Sequence, residues 1–97
     1  MPSYVTLFKW TEQGISDVKG TVDRSEQARQ AITSLGGALE ALYWTQGAYD
    51  LVAVVTWPDE ETAQAFLLTT ARQGNLRSET LRAFSAEEMT RIIAKMP

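Results

Sequence analysis

Leu51-Val52-Ala53-Val54-Val55 is an unbroken apolar run, and no other stretch of the chain narrows the fold as much. It has the length of a strand and is rich in β-branched valine. Trp57 closes it before Pro58, whose ring biases the preceding residue to extended backbone. A strand that is apolar on both faces belongs in the middle of a sheet covered above and below. A chain of 97 residues has room for one core, so residues 1–97 read as a single domain.

The flanking pattern says what can cover that strand. Tyr4 to Trp10 alternates and reads as a first strand, followed by a polar loop over Thr11–Gly20 with one helical turn. Ala28, Ala31, Ile32 and Leu35 form one helical stripe, ended by Gly36-Gly37. Leu39–Trp44 and Leu51–Trp57 are the next two strands, joined by the hairpin-length Thr45–Asp50. Asp59 is a natural N-cap for a helix with Ala63, Phe66, Leu67 and Thr70 on its inner side, stopped at Gly74. Leu76–Phe84 is the fourth strand. Ser85-Ala86-Glu87-Glu88 is a capping box that opens a last helix with the stripe Met89, Ile92, Ile93 and Met96. The order β-α-β-β-α-β with a final helix is the ferredoxin-like α+β plan, in which both crossover helices lie on one sheet face. The other face is bare, so the expectation is a homo-oligomer, a dimer or higher, joined through it.

Strand alternation divides the side chains between the faces. We expect Val5, Leu7, Val52, Val54, Leu81 and Ala83 to point to the helices. The bare face then carries Tyr4, Thr6, Phe8, Trp10, Ala53, Val55, Ser78, Thr80, Arg82 and Phe84, a mixture suited to an interface or to a cavity within one. Arg82 keeps its charge and needs a carboxylate from a partner subunit, an anionic ligand or an aromatic face.

Composition removes much chemistry. There are no cysteines and no histidines, which excludes disulfides, thiolate nucleophiles, Ser-His-Asp triads, imidazole bases, and zinc, haem or iron–sulfur centres held by those side chains. No cofactor and no metal are expected, and any catalysis would rest on carboxylates, Tyr, Lys or Arg. The net charge of −3, without a basic cluster, argues against nucleic acid. Met1-Pro2-Ser3-Tyr4 is not a charged leader before an apolar stretch. No window approaches the roughly 20 apolar residues of a membrane span. A soluble, cytoplasmic protein is the expectation.

Three stretches, Lys9–Gly14, Gly47–Val52 and Gly74–Arg77 with Thr80–Phe84, resemble the GYD domain family, named for its glycine, tyrosine and aspartate. Here those residues are Gly47, Tyr49 and Asp50, with Ala48 between the first two. The likeness runs from Tyr4 to Lys95. It implies a small bacterial protein of the dimeric α+β barrel type and implies no particular activity. Two readings of Gly47, Tyr49 and Asp50 stay open: a hairpin whose glycine takes positive φ and whose aspartate binds turn amides, or a tyrosine and carboxylate that reach a ligand. Lys9 and Glu12 read as a surface pair, and Arg24, Arg29, Arg72 and Arg91 as solvated. The candidate ligand residues are therefore Tyr4, Thr6, Phe8, Trp10, Tyr49, Asp50, Thr80 and Arg82, for a small anionic or aromatic ligand. The leading functional reading is an oligomeric, non-enzymatic binding or regulatory module. The alternatives are a cofactor-independent oxygenase or isomerase, and an assembly protein with a partner on its outer helices, where Leu68 would be exposed.

Overall fold

The computed structural model describes residues 1–97. Its elements are β1 (Ser3–Trp10), α1 (Glu12–Ser16), a 3₁₀ turn at Val18–Gly20, α2 (Thr21–Ser34), β2 (Ala38–Trp44), β3 (Leu51–Thr56), α3 (Glu60–Gln73), β4 (Leu76–Ala83) and α4 (Ala86–Ala94). The four strands form one antiparallel sheet in the order β2-β3-β1-β4, which is the ferredoxin-like arrangement. The apolar run is central, as its two-sided pattern requires, between β2 and β1.

Local chemistry sets the helix ends. The Asp59 carboxylate accepts from the Thr62 N–H at 2.7 Å, and Gly74 ends α3 at φ 85°, a conformation that costs a Cβ-bearing residue stability. Ser85 and Glu88 close a complete capping box on α4. The Thr11–Gly20 segment holds more helix than one turn, because the Thr11 hydroxyl caps α1 by accepting from the Gly14 N–H.

The assignment of sheet faces has to be reversed. Tyr4, Thr6, Phe8, Leu51, Ala53 and Val55 are buried beneath the helices, together with Ile32, Trp57 and Ala63. Val5, Leu7, Val52 and Val54 occupy the open face and are half-buried; Leu81, paired with Val5, is 47% exposed. The grouping of residues by face holds, since Tyr4 pairs with Val55 and Arg82, and Thr6 with Ala53 and Thr80. Both faces of β1 and β3 are apolar, so alternation separates them without saying which one the helices take. The helices take the face with the larger rings, which fill more of the space beneath two separated helices.

α4 carries no buried residue, and its stripe of Met89, Ile92, Ile93 and Met96 is exposed. The radius of gyration is 14.7 Å, against about 12.5 Å for a compact domain of this length.

Candidate functional site

Beneath α2 and α3 the sheet is incompletely filled. Ala53 and Thr6, paired across β3 and β1, are small residues at its centre, and Ala28 and Ala31 are small residues on α2 above it. The result is a cavity of about 420 Å³. Phe8, Trp10, Leu42, Trp57, Phe66 and Leu76 supply much of its wall. Arg24 is its one charged lining residue. The exposed Gln27, Thr69 and Gln73 stand at its edge, so polarity rises outward while the interior stays apolar.

Arg24 is not solvated as its position on the helix suggested. Its guanidinium donates to the Asp17 carboxylate and backbone carbonyl, each at 2.9 Å, so its charge is already answered. Thr6 is different. It is 4% exposed, the one buried side chain that is polar, and its hydroxyl meets that of Thr80 at 3.3 Å.

The eight candidate ligand residues separate into three groups. Thr6, Phe8 and Trp10 line the cavity. Tyr4, Thr80 and Arg82 share their sheet face but lie outside the lining. Arg82 finds an intramolecular carboxylate, Glu88, at 3.6 Å, and rests over the Phe84 and Tyr4 rings at 4.5 and 5.6 Å. It also donates to the Ser3 and Ala83 carbonyls. Its demands are met within one chain, in part by α4, a source of carboxylate that strand alternation alone cannot reveal.

Tyr49 and Asp50 form the third group and lie apart from the cavity lining. The Asp50 N–H donates to the Phe8 carbonyl at 2.8 Å, and its carboxylate accepts from the Trp10 N–H at 2.9 Å, which extends the β1–β3 pairing past the end of β3. Tyr49 reaches across β1 to donate to the Glu79 carboxylate of β4 at 2.6 Å. Lys9 lies with its Nζ 5.3 Å from the Tyr49 ring centroid instead of pairing with Glu12. The hydrogen bond to Glu79, and then its charge, raise the Tyr49 hydroxyl above its ordinary pKa. Gly47 takes φ 120°, as the hairpin requires.

The other motif stretches meet at the same end of β1. The Thr11 N–H donates to the Asn75 carbonyl at 3.1 Å, and its hydroxyl to the Gly74 carbonyl at 2.5 Å. The Gln13 amide donates to the Gln73 carbonyl and the Asn75 side chain. Gly14 is buried against the Asn75 carbonyl, where a Cβ would overlap the oxygen. Three separated sequence motifs thus tie the hairpin, α1 and the α3–β4 turn to Trp10 and Thr11. They close the end of the sheet where Trp10, Asn75 and Leu76 enter the cavity wall.

Fold and site together define a small ferredoxin-like α+β protein with a cavity between helices and sheet. The sequence matches the GYD domain over residues 4–93, and the chain belongs to that family. The fold is similar to the crystal structure of MtbAldR, with a TM-score of 0.67 and 12% identity over 87% of this chain. The chain spans about half of that protein, 52% of its length. It is also similar to the crystal structure of TTHA0845 from Thermus thermophilus, with a TM-score of 0.55, 27% identity, and coverage of 89% of this chain and 96% of that one. No curated protein matches the sequence. No helix is long and apolar enough to cross a membrane.

Proposed function

We propose that this protein is an oligomeric small-molecule-binding module whose ligand occupies the cavity between helices and sheet. The observation that carries this is the cavity itself. About 420 Å³ lies within the usual range for small-molecule sites, and an apolar wall with a polar edge is their usual construction. Close packing would otherwise be expected there, since unfilled apolar volume costs stability. The test is to fill it. Ala53→Leu puts a larger apolar side chain on the cavity floor. The natural protein should bind apolar fluorescent probes, and Ala53→Leu should stay folded and abolish that binding. Unchanged probe binding would sink the assignment.

Self-association through the open face belongs to the same reading. A folded monomer of 10.8 kDa exposes roughly 5,500 Å². This chain exposes 6675 Å², about 1,100 Å² more, comparable to the roughly 800 Å² each partner buries in a standard interface. The open-face valines and leucines and the apolar stripe of α4 supply that surplus. A dimer would cover β3 on its second side. The absence of Cys and His favours binding over catalysis.

A further inference from the structure

The cavity floor has one feature that packing does not explain. Thr6 sits at the centre of a central strand, 4% exposed, between the buried Tyr4 and Phe8 and opposite Ala53. Valine has nearly the same shape and would bury there without the cost of desolvating a hydroxyl. That hydroxyl has one partner, the Thr80 hydroxyl, at a long 3.3 Å. Two hydroxyls hold two protons and four lone pairs between them, and their mutual bond uses one of each. Either hydroxyl can be the donor: when Thr80 donates, Thr6 keeps its own O–H proton free, and in both arrangements Thr6 keeps at least one unused lone pair, beside an apolar cavity that it lines. The remaining charge in the wall, Arg24, is held by Asp17 at 2.9 Å. Within the lining an anion would have to compete with the Asp17 carboxylate for Arg24.

Resting on the cavity assignment above, we infer that the ligand is a neutral, mainly apolar molecule carrying a hydroxyl or carbonyl oxygen, and that Thr6 is the residue that selects this oxygen. This narrows the expectation of an anionic or aromatic ligand to the neutral class. A carboxylate would leave water for a wall whose one cation is already paired with Asp17, whereas a single oxygen finds the spare Thr6–Thr80 hydrogen-bonding capacity. The size of the cavity limits the occupant to a small molecule and excludes a peptide helix, whose diameter with side chains is about 10–12 Å.

The test uses three probes of one ring framework, 2-naphthol, 2-methylnaphthalene and 2-naphthoate, measured by equilibrium dialysis against the natural protein, Thr6→Val, Thr6→Ser and Ala53→Leu. Far-UV circular dichroism checks that each variant is folded. The natural protein should bind 2-naphthol about two- to tenfold more tightly than 2-methylnaphthalene, the range of one neutral hydrogen bond, and 2-naphthoate most weakly. Thr6→Val should bind the two neutral probes equally, and Thr6→Ser should restore the preference. A naphthol preference that survives in Thr6→Val overturns the role of Thr6. Tightest binding of 2-naphthoate overturns the neutral class. If no probe binds, or Ala53→Leu binds them all as the natural protein does, the cavity assignment itself falls and takes this inference with it.

Discussion

On the helix-covered side of the sheet, Tyr4, Thr6 and Phe8 of β1 are buried, yet a cavity of about 420 Å³ remains above them. On the open side the same strand presents Val5 and Leu7, half-buried, beside Leu81 at 47% exposure. The covered face is apolar, roofed and incompletely filled. The open face is apolar, unroofed and crossed at one end by the polar group of Lys9, Tyr49 and Glu79. One face thus has a partly enclosed space, which suits a small ligand; the other has exposure without enclosed space, which suits a second copy of the chain.

The largest effect is expected at the centre of the open face. Val54 is half-buried in one chain, so Val54→Asp should leave the isolated fold nearly undisturbed. In a two-fold interface the substitution buries two carboxylates, each at a cost of several kcal/mol. Sedimentation should show the natural protein as an oligomer and Val54→Asp as a folded monomer. An unaltered oligomer would remove the open face from the interface.

Next is the motif end of the sheet. Asp50→Ala leaves the Trp10 N–H without its acceptor at 2.9 Å and should cost about 1–3 kcal/mol in urea unfolding. Asp50→Asn keeps an oxygen acceptor and should cost less. Equal losses for both would mean that the aspartate is kept for another reason.

A smaller effect is expected at α4. The Ser85 N–H holds the Glu88 carboxyl below its ordinary value of 4.5, assisted by the Ser85 hydroxyl and the Arg82 charge and opposed by partial desolvation. A carboxyl whose folded pKa is depressed stabilises the folded state above its unfolded value, and that contribution is lost as pH falls through the folded value. Thermal melts of the natural protein and Glu88→Gln should therefore differ near neutrality and converge below pH 4.5. A difference that persists unchanged in acid would place the effect elsewhere.

Much of this contrast was legible in the sequence. The two-sided valine run, the glycine at Gly74 and the Ser85–Glu88 box identify elements through local chemistry alone, and the same residues fall together on each face in the structure. Which face the helices cover was not legible, because Val5 and Leu7 are as apolar as Tyr4 and Phe8, and two-residue periodicity is symmetric under exchange of the faces. The aromatic face expected for Arg82 is present in Tyr4 and Phe84, but its carboxylate, and the pairing of Arg24, were not legible for a related reason. The partners, Glu88 and Asp17, lie on elements whose placement only the fold provides. The cavity had a signal that could have been read: alanine and threonine at paired central positions, where a filled core would carry larger residues.

The smallest expected effect concerns Tyr49, and it tests the polar end of the open face most directly. The phenol donates to Glu79 at 2.6 Å across β1, and that bond, followed by the carboxylate's charge, raises its pKa above 10.0. The neutral phenol is the form the fold favours. The stabilisation is thus complete below the unfolded pKa and is lost as pH rises through the raised folded value. The group is exposed, so Tyr49→Phe should barely move the melting temperature at neutral pH. An absorbance titration is more sensitive. The chain has three tyrosines, and the one absent in Tyr49→Phe should be a transition above pH 10.0 in the natural protein. Glu79→Gln removes the charge but keeps an acceptor, so that transition should move back toward 10.0 without vanishing. If an oligomer covers the open face, dilution below its dissociation constant should shift the same transition, because Tyr49, Lys9 and Glu79 would pass from an interface into water. A transition indifferent to both Glu79→Gln and dilution would mean that Tyr49 neither meets Glu79 in solution nor lies at the boundary between two copies.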